Sequence, residues 1–269
     1  MSKKFGQNFL ISPASRQRIV NLLNPEEGST VWEVGPGIGA ITTLLLERGV
    51  NLTAFELDHG FCRILKGEAF GDEERFALIE GDALKTLPKA LRQKGTPNYL
   101  CGNLPYNVGS PLIARLLEGA SRPKRMVFTL QKEVALRICA SDGSKDWSSF
   151  SLLAQADYDV SIGFEIAPGA FYPPPNVQSA VVVFEKMEKS RVPSEHRGAF
   201  SLLVRELFIQ PRKTLRNNVV QSKVGSRIGK EGVEELLALS KIDPSRRPQT
   251  LMWADVLRLS EHLSSILAR

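Results

Sequence analysis

Short apolar runs at residues 30–34, 51–56, 76–80, 99–102 and 124–129 read as strands, and the segments between them carry helical patterns at 40–47, 60–66 and 111–117. A further helix follows near 132–139. Strands that alternate with helices are joined by crossovers rather than hairpins, so this rhythm constrains the chain to an α/β fold with a mostly parallel, helix-covered sheet. Residues 158–166 and 177–185 are rich in β-branched and aromatic side chains and flank the turn Phe171-Tyr172-Pro173-Pro174-Pro175, which predicts a closing antiparallel pair of strands. After Glu185 the pattern turns helical, at 197–208, 212–221, 231–239 and 253–267. A boundary near 186–193 gives a first domain of residues 1–188 and a small all-helical domain of residues 189–269.

The first strand runs into Gly35-Pro36-Gly37-Ile38-Gly39-Ala40, a glycine-rich turn that opens a helix. Glycines let a ligand approach the backbone, and a helix start offers free N–H groups, so a nucleotide-like ligand is implied. The spacing fits both a dinucleotide and S-adenosylmethionine. Pro36 favours the latter, because it removes an N–H from a loop that would have to cradle a pyrophosphate. Glu56 ends the second strand, 21 residues after Gly35, where a carboxylate can accept hydrogen bonds from both hydroxyls of a ribose. Asp82 follows the third strand and is placed to meet an adenine amine. Either acid alone reads as a strand end or a helix cap; the two after consecutive strands read as a ligand site.

Gly102-Asn103-Leu104-Pro105-Tyr106-Asn107 follows the fourth strand. An exocyclic amine conjugated with its ring is a poor nucleophile. The Asn103 side-chain oxygen and the Leu104 carbonyl can accept its two hydrogens and draw the lone pair out of the ring, while Tyr106 stacks on the base.

Composition narrows the partners. The net charge of +6 is confined to the C-terminal part, since residues 1–184 balance at 19 basic and 19 acidic, whereas residues 185–269 hold 16 against 10. Within residues 205–230 seven basic side chains face one acid, a composition suited to a polyanion, with Arg212, Lys213 and Arg216 as candidate phosphate contacts. Helical spacing would put Arg212 and Arg216 on one face. Cys62, Cys101 and Cys139 form no CxxC pair, and the three histidines are far apart in sequence, so no metal site is expected. Without an apolar span or leader pattern, the expected setting is the cytoplasm, with no membrane partner.

With these residues in hand, the chain resembles the small-subunit ribosomal RNA adenine N6,N6-dimethyltransferase family over nearly its whole length. The resemblance runs from Phe5-Gly6-Gln7-Asn8-Phe9-Leu10 through the three motifs to Leu130-Gln131-Lys132-Glu133-Val134, then the stretch 170–181, and ends on Arg212-Lys213-Thr214-Leu215-Arg216-Asn217. It implies a Rossmann-like methyltransferase domain with a small helical domain, acting as a monomer on small-subunit ribosomal RNA or a subunit precursor. It also implies that Asn8, Leu10, Gly35, Glu56, Asp82 and Asn103 contact S-adenosylmethionine and that Tyr106 and Phe171 sandwich the target adenine. Asn176, Gln178, Pro211 and Trp147-Ser148-Ser149-Phe150 depart from the family pattern; they bear on the details and strength of RNA contact and leave the cofactor- and amine-binding residues intact. Three other readings share some features. Large-subunit methyltransferases of the erythromycin-resistance type have a similar fold but usually Asn-Ile-Pro where this chain has Asn103-Leu104-Pro105. An RNA-binding assembly factor would use the basic segment alone, while an NAD-dependent dehydrogenase would leave residues 103–106 without a role.

Overall fold

The computed structural model describes residues 8–269, apart from the side chains of Tyr106 and Asn107, and its described residues form one seven-stranded sheet and one two-stranded sheet. In the large sheet the spatial order is β4 (Phe76–Glu80), β3 (Asn51–Glu56), β2 (Thr30–Val34), β5 (Tyr99–Asn103), β6 (Arg125–Gln131), β9 (Ser179–Lys186) and β7 (Tyr158–Ile166). The first five are parallel, and β9 joins β6 antiparallel with Thr129 opposite Val181. The small sheet pairs β1 (Phe9–Leu10) with β8 (Phe171–Tyr172), Leu10 lying opposite Phe171. β2 and β5 are apolar and buried almost throughout, as strands covered on both faces must be.

The chain divides into two compact units, one holding the residues up to Ala135 together with Asp159–Lys186, the other Leu136–Tyr158 with Met187–Arg269. Helices of the first unit are α1 (Pro13–Leu23), α2 (Ala40–Leu46), α3 (His59–Arg63), which continues as a π-helical turn Ile64–Ala69, α4 (Ala83–Lys94) and α5 (Tyr106–Glu118). α6 (Lys132–Ile138) spans the division. The second unit holds α7 (Ser149–Gln155), α8 (Arg197–Leu207), α9 (Leu215–Val220), α10 (Lys223–Ser240) and α11 (Trp253–Leu267).

Sequence reasoning assigns residues 136–158 to the first domain, whereas in the structure this segment belongs with the C-terminal helices. Trp147 is buried and meets the Trp253 ring edge-on at 6.1 Å, and Phe200 stacks on Trp253 at 6.1 Å. The buried Asp157 carboxylate accepts from Arg197 Nη1 at 2.8 Å. The departure at 147–150 fits this unit: Trp147 fills its core, and Ser148 starts α7 with its N–H donating to Ser151 Oγ at 3.1 Å.

No helix is expected from sequence at α1 or α4, although α4 buries Ala83, Leu87 and Ala90 along one face. α1 keeps its buried apolar residues, Ile19, Val20 and Leu23, in its second half, and its clearest signal lies at its start, where Pro13 occupies the first turn and the Ser12 hydroxyl accepts from Ser15 N–H at 3.3 Å. α4 carries Pro88 inside the helix, a residue that reads as a break.

Candidate active site

Connections from β2 lead first to β3 and β4 on one side, and then back to β5 and β6 on the other. Strand order therefore reverses at β2, and in an open parallel sheet a crevice forms beyond the strand ends at such a point. The turn after β2 lies there. Gly35, Gly37 and Gly39 have φ of 71°, 59° and 87°, and a Cβ on Gly37 would stand 3.2 Å from the Phe9 ring. A side chain would thus be strained by its backbone and would press on β1. Gly102 serves in another way: a Cβ there would come within 2.6 Å of the Val34 carbonyl oxygen, so only glycine lets β5 approach β2 this closely.

One pocket opens at this switch point, lined by the glycine turn, the ends of β2, β3 and β5, and the β1–β8 pair. Glu56 is buried in its wall, with Oε2 accepting from Gly37 N–H at 3.1 Å and Oε1 from the N–H groups of Leu57 and Asp58 at 2.8 and 2.9 Å. Burial holds its carboxyl above the usual carboxylate range, and the three backbone donors oppose that rise. The same bonds tie the glycine turn to the end of β3. Asp82 is the N-cap of α4, with Oδ1 accepting from Leu84 N–H at 2.9 Å, and it also lines the pocket. Capping and pocket lining therefore coexist in this side chain.

Asn103 ends β5 in the pocket wall, and its Nδ2 donates to the Asn8 carbonyl at 2.9 Å. That bond leaves the side-chain oxygen as an acceptor. Leu104 and Phe171 line the same pocket; Phe171 is also buried against the apolar cluster beneath α1 and α2. Of the residues singled out from sequence, Asn8, Leu10, Gly35, Glu56, Asp82, Asn103, Leu104 and Phe171 thus come together. The side chain of Tyr106 and residues 5–7 of the N-terminal motif lie outside the described residues.

Arg212, Lys213 and Arg216 lie in the second unit, and the helical spacing expected of them is corrected by the structure. Thr214 caps α9 by accepting from Asn217 N–H at 3.3 Å, so the helix starts at Leu215 and leaves Arg212 and Lys213 in the preceding turn. Arg216 Nε donates to Glu234 Oε1 at 2.6 Å and Lys213 Nζ to Gln221 Oε1 at 3.1 Å, whereas Arg212 has no side-chain partner among the described residues. Gln178, a departure from the family pattern, accepts from Lys132 Nζ at 3.1 Å.

Two charged groups in the pocket lining escape the motif reading. Glu33 sits two residues before the glycine turn on a strand otherwise apolar at its buried positions, and a lone acid in such a strand was its available signal. Arg16 is on the polar first half of α1 and carries no distinguishing local pattern.

Comparison with solved structures agrees with this fold. A dimethyladenosine transferase from Plasmodium falciparum superposes with a TM-score of 0.75 over 93% of this chain and 95% of that one, at 23% identity. The 23S rRNA methyltransferase ErmE superposes with a TM-score of 0.69 over 95% and 99%, at 19% identity. The fold is that of a Rossmann-like methyltransferase, with a helical region after the sheet.

The model of the ribosomal RNA adenine dimethylase family matches residues 1–259, and the chain belongs to that family. Relatives named ribosomal RNA small subunit methyltransferase A include one from Treponema denticola, 41% identical over 97% of this chain and 89% of its own length. Another, from Pseudomonas aeruginosa, is 39% identical over 98% and 95%.

Proposed function

We propose that this chain transfers methyl groups from S-adenosylmethionine to the N6 amine of adenines in small-subunit ribosomal RNA, two adjacent adenines each dimethylated, during ribosome biogenesis. The observation that carries this reading is Asn103, held by its own Nδ2 so that its oxygen remains an acceptor in the pocket that Glu56 and Asp82 also line. The small-subunit choice over a large-subunit substrate is supported by the names of the relatives and by Leu104 between Asn103 and Pro105. Family membership and the cytoplasmic site of ribosome assembly support the same compartment for this chain, and a monomer suffices because one chain supplies the whole described pocket.

The pocket fits the cofactor by the chemistry of its walls. A glycine turn that a Cβ would fill, two carboxylates for hydroxyl and amine groups, and apolar side chains from Val34, Ile38, Phe55, Leu57 and Ala83 suit an adenosyl group. S-adenosylmethionine, when bound, supplies a methyl already activated by its sulfonium. Asn103 Oδ1 and the Leu104 carbonyl accept the two hydrogens of the target amine, freeing its lone pair, while Tyr106 and Phe171 hold the base by stacking. Positioning and exclusion of water supply most of the acceleration without a general base, and the proton leaves to water.

The direct test is to incubate the protein with methyl-labelled cofactor and small subunits from cells lacking it, then digest the RNA to nucleosides. N6,N6-dimethyladenosine in the small-subunit RNA is expected; label confined to large-subunit RNA would overturn the reading. Glu56→Ala removes a charged acceptor and frees the three N–H groups that hold the turn. It is expected to weaken S-adenosylmethionine by roughly 1 to 3 kcal/mol in calorimetry. Unchanged affinity would remove Glu56 from the cofactor site.

The second unit, with its basic segment, we infer to grip RNA. Replacing Arg212, Lys213 and Arg216 by alanine is expected to flatten the slope of log affinity against log salt by up to about three phosphate contacts, with cofactor affinity unchanged. The single variants should rank with Arg212 first and Arg216 last, since Glu234 already engages Arg216. An unchanged slope would make this a solvated face.

A further inference from the structure

The charges that line the pocket are unevenly matched. Glu33, Glu56 and Asp82 are acidic, and among the described residues Arg16 is the single basic side chain in the lining. Resting on the cofactor reading above, the ligand brings a sulfonium, an ammonium and a carboxylate. The first two suit an acidic wall. A carboxylate does not: brought out of water beside three acids, it needs a cation and directed donors of its own.

Arg16 is prepared for that part. It projects from the first turns of α1, is half-buried, and its Nε donates to the Leu10 carbonyl at 2.7 Å. The Leu10 backbone is itself fixed, opposite Phe171 in the β1–β8 pair and followed by Ile11 N–H donating to the Ala170 carbonyl at 2.8 Å. With Nε occupied, the guanidinium is oriented and its two Nη groups have no partner among the described residues. A planar fork of N–H donors anchored at one corner is suited to a carboxylate. Leu10 and Asn8, whose carbonyls Arg16 and Asn103 respectively hold, line the same pocket, so β1 is pinned between the two side chains. We propose that Arg16 binds the carboxylate of the cofactor's methionine portion, and that this contact makes the site select ligands carrying an intact amino acid.

The test compares two ligands on the full-length protein. S-adenosylhomocysteine keeps the carboxylate, and decarboxylated S-adenosylmethionine lacks only that group. Arg16→Gln retains a donor for the Leu10 carbonyl but loses the charge; Arg16→Lys retains the charge but loses the fork. Calorimetry is expected to show S-adenosylhomocysteine weakened about 10- to 100-fold by Arg16→Gln and less by Arg16→Lys. Decarboxylated S-adenosylmethionine should bind wild type and both variants within about twofold, its contact with Arg16 being absent in each. Equal losses for both ligands would mean that Arg16 acts only by holding Leu10, and would overturn the proposal. So would unaltered binding of both, or a loss seen only in RNA affinity, which would make its anion a phosphate. If wild type binds neither ligand, the cofactor assignment itself fails, a result separable from failure of Arg16 alone.

Discussion

Asn103→Ala is expected to slow methyl transfer by about 10²- to 10³-fold at saturating cofactor, in the range found when one preorganised group that stabilises a transition state is removed. The acceptor at Asn103 is needed most when the amine gives up its conjugation, so its loss falls on the rate more than on ground-state binding. A second consequence follows from the bond between Asn103 Nδ2 and the Asn8 carbonyl. Alanine releases that end of β1, so cofactor affinity should fall modestly, by less than about tenfold, the scale of one neutral hydrogen bond. Single-turnover rates with small-subunit RNA, set beside calorimetry for the cofactor, separate the two effects. A rate within a few fold of wild type would remove Asn103 from the chemistry. A loss wholly in cofactor affinity would reduce it to an anchor for β1.

Legibility in the sequence followed the locality of the signal. The inner parallel strands and the glycine turn could be read because each is a short apolar run whose burial on both faces leaves a continuous pattern, and the edge strand β4, though half-exposed, keeps an apolar run of the same length. Glu56, Asp82 and Asn103 could be read because strand ends in such a sheet converge at the switch point, so position in sequence stands for position in space. The start of α9 was read three residues early. Arg212 and Lys213 extend the basic run toward Leu215, but Thr214 caps the helix and cuts the pattern. Residues 136–158 group with the C-terminal helices for a tertiary reason that no short window shows, since Trp147 meets Trp253, over a hundred residues away. Arg16 had no local mark at all. Its place in the pocket depends on the pairing of β1 with β8, a contact between residues 9–10 and 171–172 that no short window contains.

Glu33 is expected to make the stability of this protein fall as pH rises. It is buried with 2% of its surface exposed, and its Oε2 accepts from Thr42 Oγ1 at 2.7 Å. Burial first, and the neighbouring Glu56 to a smaller degree, push its carboxyl up to about 7 from 4.5, against the lowering effect of Thr42. Between those two values the folded protein binds a proton that the unfolded chain has released, so unfolding loses that proton and stability falls with pH. The contribution is fully present below about 4.5 and is lost as pH rises through about 7. A shift of this size corresponds to roughly 3 kcal/mol, taken from the free energy of one pKa unit. Glu33→Gln keeps the shape and an oxygen for the Thr42 hydroxyl but cannot ionise. Its stability in urea should therefore match wild type near pH 4 and exceed it at pH 8 by up to roughly 3 kcal/mol, since an uncompensated buried charge has been removed. The pH dependence separates this cause from altered packing, which would shift both curves alike. Parallel stability profiles for wild type and variant between pH 5 and 8 would show that Glu33 does not titrate there.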